Sequence, residues 1–242
     1  MPKDSVDNTL IRVYKLLMTI QTFLSVDTIF FTLLNYPMSY LEFFGTIFTG
    51  WSVYLAAKNK VITWPVGLLG IILYGFLFYQ IHLYSDLLEQ VYYFLTTFWG
   101  WYLWLKPKSL SETDTANHEL KVGSLNRNAY YGYSMAILVF TYLLGLFMTN
   151  IHILLPAYFP VAASFAYLDS FTTILSFAAT ILLVQRKIEN WHLWIVVDII
   201  GIWLYYQKGV AFLSLLYLAF LINAFYGLGK WQRIMNKYEE EV

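Results

Sequence analysis

The sequence predicts an all-α polytopic membrane protein with 3+1+3 transmembrane helices: two parallel-oriented triple-helix repeats joined by one linking helix, with an N-terminal amphipathic helix in front. Composition is the first reason. Of 242 residues, 59% are hydrophobic and only 12% charged, about half the roughly 25% usual in a soluble domain. The second is segmentation into seven apolar runs of about the length that crosses ~30 Å of hydrocarbon, separated by polar breaks. The third is internal repetition. From Tyr40, YLEFFGTIF matches YLDSFTTIL from Tyr167 at an offset of 127, placing Glu42 on Asp169 and Thr46 on Thr173. The same offset carries Gly100 and Trp104 onto Gly227 and Trp231. WPVGLLG from Trp64 matches WIVVDIIG from Trp194 with a small insertion, which brings Tyr74 near Tyr205. Three spans per repeat plus one connecting span give both repeats the same orientation, related by an axis near the membrane normal.

The elements follow in order. Residues 10–34, LIRVYKLLMTIQTFLSVDTIFFTLL, are interrupted by Arg12, Lys15, Gln21 and Asp27. Asp27 would be costly in mid-bilayer and Lys15 can snorkel at a surface, so residues 1–36 read as an interfacial amphipathic helix rather than a further span. The leading MPKDSVDNTL has no short apolar core or small-residue cleavage site, which leaves insertion to the first membrane segment. The first triple-helix repeat, 38–105, holds spans at about 40–57, 65–81 and 86–105. Residues 106–129 are polar, lack a hydrophobic period and read as a loop outside the membrane. A linking span covers 130–150, and HILLPAYFPVAAS, with Pro156 and Pro160, reads as an irregular connection near the interface. The second repeat, 165–231, holds spans at about 166–185, 193–207 and 210–229, and 232–242 is a tail.

Charge sets the expected topology and excludes some classes. Counted over the connections and the C-terminal tail, Lys58, Lys60, Lys106, Lys108, Lys121, Arg127, Arg186, Lys187, Lys230, Arg233 and Lys237 fall on one side of seven spans, and the opposite connections contain only Lys208. That side is expected to be cytoplasmic, with the C-terminus inside. An interfacial first segment then leaves the N-terminus outside, although Lys3, Arg12 and Lys15 favour the cytoplasm. Zero net charge gives no electrostatic basis for nucleic-acid binding. With no cysteine, neither a disulfide framework nor a thiolate metal site can form.

Two helical faces carry candidate chemistry. In YSDLLEQVYYFLTTFWGWYLW, from Tyr84 to Trp104, Asp86, Gln90, Tyr93 and Thr97 lie at i, i+4, i+7 and i+11. Unpaired polar groups cost several kcal/mol in hydrocarbon, so this face must turn to other helices or a wet cavity. Polar groups beside aromatic rings suit a small aromatic solute. The sixth span is short and interrupted by Asp198, itself a pointer to a binding site.

These residues reach a resemblance. TWPVGLLGIILYGFLFYQIHLYSDLLEQVYYFLTTFWGWYLW, followed in the second half by ENWHLWIVVDIIGIWLYYQKGVAFLSLLYLAFLINAFYGLGKW, resembles the PnuC family of nicotinamide riboside transporters from about Tyr40 to Trp231. The signal is the ordered set of WPVG, Asp-x-x-x-Gln-x-x-Tyr with Gly-Trp, Asn-Trp and Asn-x-x-Tyr-Gly. The resemblance implies a fold akin to the sugar-transporting SWEET and SemiSWEET proteins, a homotrimer, and facilitated diffusion of nicotinamide riboside across the bacterial cytoplasmic membrane. Net uptake would be driven by a cytoplasmic nicotinamide riboside kinase. Its motif positions fall on Trp64, Asp86, Gln90, Tyr93, Gly100 and Trp101 in the first half. In the second they fall on Asn190, Trp191, Trp194, Asp198, Tyr217 and Asn223. One departure is that Asn190-Trp191 stands where the first half has Thr63-Trp64, so the halves cannot supply identical hydrogen bonds.

The residues suit that substrate. Nicotinamide riboside offers a flat cationic pyridinium, a carboxamide and vicinal hydroxyls, and aromatic faces hold a cation at roughly 0.5–2 kcal/mol per contact. Gln90 and Asn223 offer both donor and acceptor. Trp194, Asp198, Gly201 and Tyr205 lie at i, i+4, i+7 and i+11, with Gly201 leaving room for a ligand or close packing. The expected substrate-binding set is therefore Trp64, Asp86, Gln90, Tyr93, Trp191, Trp194, Asp198, Tyr217 and Asn223.

Structural readings stand beside these. Trp99, Trp101, Trp104 and Trp231 read singly as interface belt or packing. Gly100, Gly227 and Gly229 read as close helix contact, and Glu42 and Asp169 as hydrogen-bonding to neighbouring helices. Asp86 and Glu89 also fit the outer interface. An intramembrane enzyme lacks support: His82, His118, His152 and His192 fall near segment ends or loops, and no HExxH, paired-Asp or GxSxG motif occurs. No cofactor or metal is implied. Proton-coupled transport of another small vitamin or nucleoside through Asp198 or Asp169 is the alternative, and a receptor without transport is the third class.

Overall fold

The computed structural model describes residue 12, residues 18–19, 21–33, 36–80, 84–106, 121–157, 162, 165–207 and 211–240. Among these are a hairpin, β1 (Ile29–Leu33) and β2 (Tyr36–Ser39), and seven long helices. The helices are α1 (Tyr40–Ala57), α2 (Thr63–Gln80), α3 (Tyr84–Leu105), α4 (Arg127–Leu154), α5 (Ala166–Val184), α6 (Glu189–Gln207) and α7 (Ala211–Glu240).

The hairpin corrects the expectation of a helix through residue 36. Residues 21–23 are helical, but Ile29–Leu33 pairs antiparallel with Tyr36–Ser39. IFFTL is rich in aromatic and β-branched side chains, and Pro37 fits a strand with a free edge. Most of residues 1–20 lies outside the described residues. At α1 the Ser39 hydroxyl accepts from the Glu42 amide at 3.2 Å, as a capping residue does.

Three helices, α2, α4 and α5, are long and apolar enough to cross a membrane. Their outer faces expose Leu69, Ile72, Phe76, Met135, Leu138 and Phe140. Continuous apolar surface on this scale is stable only when lipid covers it. The protein is thus a helical, multi-pass membrane protein. Helices α5, α6 and α7 begin 126, 126 and 127 residues after α1, α2 and α3, respectively.

The chain divides into two compact units, Met1–Ser52 with Trp64–Thr97, and Val53–Thr63 with Phe98–Val242. In the first, α1 and α2 approach closely through glycine. A Cβ on Gly67 would stand 2.7 Å from the Ser52 hydroxyl oxygen, and one on Gly70 would stand 2.5 Å from that of Thr49. The Thr46 and Tyr74 hydroxyls hydrogen-bond at 2.7 Å, and Gln80 clamps the preceding segment by donating to Leu24 O and accepting from Val26 N. Tyr36 donates to Glu42 at 2.8 Å; burial and that bond push its phenol up to about 12. Tyr74→Phe is expected to destabilise the protein by about 1 kcal/mol. A double-mutant cycle with Thr46→Val, read by thermal unfolding in detergent, should return most of that loss as coupling.

In the second unit α4 packs on α5, α5 on α6, and α6 on α7. Residues 121–126 are tied to the turn between α5 and α6 and the start of α6: Gly123 bridges Lys187, Lys187 Nζ donates to Ser124 O at 2.8 Å, and the Leu125 amide donates to Glu189 at 2.8 Å. The core of this unit contains Trp104, Trp191 and Trp231, each no more than 1% exposed. Trp231 meets Trp191 edge-on at 5.5 Å and Trp104 at 6.2 Å. The Trp104 indole N–H donates to Val184 O at 3.0 Å, and that of Trp231 to Ala56 O at 3.1 Å.

Candidate functional site

The α6–α7 pair concentrates the unusual chemistry. Asp198 sits midway along an otherwise apolar helix and is 3% exposed, and among the described residues its carboxyl has no hydrogen-bond partner. A carboxyl removed from water without a partner costs several kcal/mol, which a fold retains only where something else uses it. One turn towards the N-terminus of α6, Trp194 is half-buried, and its indole N–H has no protein partner among the described residues.

One turn towards its C-terminus, Gly201 lets α7 approach. A Cβ there would run into the Tyr217 ring. Tyr217 stacks on Tyr205 with centroids 5.2 Å apart and planes at 26°, and meets Phe220 edge-on at 6.2 Å. The Ser214 hydroxyl donates to Ile202 O at 2.9 Å and fixes the same crossing. Helical spacing aligns Trp194, Asp198 and Tyr205 on one face, and Gly201 brings Tyr217 to it. A carboxyl, an indole N–H and stacked phenol rings are what a flat cation with hydroxyl or amide groups needs.

The remaining expected residues are placed differently. Asn223 is half-buried, and its side-chain amide donates to Val53 O at 3.2 Å, tying α7 to the end of α1. Trp191 faces Trp231, and a Cβ on Gly227 would lie 2.7 Å from its ring, so here it packs the core. Among the described residues its buried indole N–H has no hydrogen-bond partner. In the first unit Trp64 is buried at the start of α2, Gln90 and Tyr93 are half-buried on α3, and Tyr93 meets Tyr92 edge-on at 5.5 Å. The Asp86 side chain lies outside the described residues.

Helical spacing put Tyr205 on the Asp198 face of its helix but could not show its ring stack with Tyr217, because the partner lies on another helix. The Thr46–Tyr74 bond escaped it for the same reason, although Tyr74 falling near Tyr205 in the repeat was a signal. Among the described residues, no cluster of three or more histidine or acidic side chains is arranged to hold a metal ion.

Residues 39–233 match the nicotinamide mononucleotide transporter family. Over 209 residues the chain is 30% identical to the nicotinamide riboside transporter PnuC of Escherichia coli, covering 81% of this chain and 87% of that one. It is 28% identical over 193 residues to the nicotinamide riboside transporter PnuC of Neisseria mucosa, covering 77% and 69%. The fold is similar to the crystal structure of the vitamin B3 transporter PnuC, with a TM-score of 0.62 at 25% identity over 82% of this chain and 83% of that one. With residues 39–233, nearly the whole helical region, matched, the chain belongs to the nicotinamide mononucleotide transporter family and is a membrane transporter.

Proposed function

We propose that this chain carries nicotinamide riboside across the bacterial cytoplasmic membrane by facilitated diffusion. The observation that carries the reading is its similarity, over more than two thirds of their lengths, to relatives named as nicotinamide riboside transporters. The α6 face agrees with it: Asp198 for the ribose hydroxyls or ring charge, Trp194, Tyr205 and Tyr217 for the ring. Gln90, Tyr93, Trp64, Trp191, Asp86 and Asn223 complete the proposed set. The family's name leaves room for the phosphorylated nucleotide, but helices α1 to α6 contain no Lys or Arg beyond Arg127 at the start of α4. A phosphate dianion buried without a cation would be strongly disfavoured, so the riboside fits better.

The architecture we attach to this function is two triple-helix repeats, α1 to α3 and α5 to α7, linked by α4 and rocking about a midplane site. The matched helix starts support it, and so does the interchange of indole hydrogen bonds between Trp104 and Val184 and between Trp231 and Ala56. The Lys/Arg-rich end is cytoplasmic, the C-terminus inside and the assembly a homotrimer. Uptake is completed by a cytoplasmic nicotinamide riboside kinase that traps the product.

Labelled nicotinamide riboside in proteoliposomes tests this. Equilibration in empty vesicles, and accumulation only in vesicles loaded with the kinase and ATP, is the expected result. Accumulation driven by a proton gradient without the kinase would favour the alternative, ion coupling through the buried carboxyl of Asp198. An absence of flux would reject the substrate.

A further inference from the structure

The two capping tryptophans form a reciprocal pair. Trp104 closes α3 of the first repeat and donates to Val184, the last residue of α5 in the second. Trp231, one repeat length later in α7, donates to Ala56 near the end of α1 in the first. Both acceptors are among the last carbonyls of a helix, which have no partner within it. The two rings lie 6.2 Å apart and rank among the largest fully buried side chains. Two further contacts extend the α1–α7 seam: Asn223 to Val53 O at 3.2 Å, and Tyr54 stacked on Tyr226 at 6.2 Å. Lys58, Lys106, Arg186 and Lys230 mark this as the Lys/Arg-rich end.

We infer that Trp104 and Trp231 are the two halves of the gate on the Lys/Arg-rich side, each repeat closing that side by capping the first helix of the other. This rests on the repeat architecture and alternating access proposed above, and adds the residues that must part. Release of substrate at this end requires the repeats to separate there, and both N–H···O=C bonds run from one repeat to the other. Opening admits water, which takes over the freed carbonyls and indole N–H groups. Exchange of a direct bond for water is nearly balanced, so each bond holds the gate shut by only about a three- to tenfold population ratio. The exchange of partners makes the gate cooperative, because neither repeat can leave without breaking both bonds.

The natural absence of cysteine makes the test clean. Thr180→Cys puts a buried reporter on α5 one turn inside Val184, and Lys121→Cys gives an exposed control. Labelling is followed with a membrane-impermeant maleimide in sealed vesicles of each orientation, with Trp104→Phe, Trp231→Phe and both. From the Lys/Arg-rich side, reporter labelling should rise roughly three- to tenfold in each single variant and by about their product in the double. From the opposite side it should stay level or fall. Unchanged labelling would make the pair a static clamp or pivot and overturn the gate, and an equal rise from both sides would mean loosened packing and overturn it too. No substrate is needed, so a failure here is distinct from a failure of the riboside assignment, which flux in the same vesicles reports.

Discussion

Asp198→Asn will lower nicotinamide riboside uptake by roughly 10- to 100-fold while leaving the protein at least as resistant to thermal unfolding as the wild type. The two readouts are expected to move apart because, in the proposed site, the carboxyl serves the ligand and not the fold. It is buried on α6 with no hydrogen-bond partner among the described residues. An amide of nearly the same shape removes the desolvation burden of an acid and disturbs no protein bond. What it loses is a charge-assisted contact, worth about 1.5–3 kcal/mol against a cation or a hydroxyl pair. Since 1.4 kcal/mol is about tenfold, the expected deficit follows, and it should appear as a raised half-saturating concentration with little change in maximal rate. Were Asp198 a structural residue, the melting temperature would fall together with uptake. Were it a proton carrier, accumulation by a proton gradient would vanish in the variant, whereas facilitated diffusion predicts none in either protein.

Asp198 was legible because a carboxylate in an apolar helix violates a strong rule, and rule-breaking residues announce themselves. The helix starts were legible for the opposite reason, obedience: apolar runs bounded by polar breaks have the length of a span, and the repeat carries the same spacing into the second half. The hairpin at residues 29–39 was not legible. A continuous run such as IFFTLL shows neither the helical nor the alternating period, so its state is decided by pairing partners that periodicity does not reveal. Trp191 shows a different limit. The family resemblance put it among the expected ligand contacts, and its packing against Gly227 and Trp231 on another helix was not readable from the sequence. The indole caps were beyond reach because their acceptors are backbone carbonyls, which carry no residue identity to read.

Gly201→Ala is the second large effect, and its sign can be separated from a simple loss of function. The added Cβ would overlap the ring of Tyr217, and that ring cannot retreat freely, because Tyr205 lies stacked on it and Phe220 abuts it edge-on. Forcing one methyl group into such a contact costs about 1–3 kcal/mol in a packed interior. The melting temperature in detergent should therefore drop, and uptake should drop further than the fraction of folded protein explains, since the displaced ring is the one proposed to meet the substrate. Tyr217→Ala removes the obstacle, so the double variant should be no less stable than Tyr217→Ala alone, a departure from additivity that identifies the contact. Uptake in the double variant should stay low, because relief of strain does not restore an aromatic face. Additive losses of stability would place the helix contact elsewhere, and recovery of uptake would remove Tyr217 from the site and leave Gly201 as the residue that sets how closely α7 meets α6.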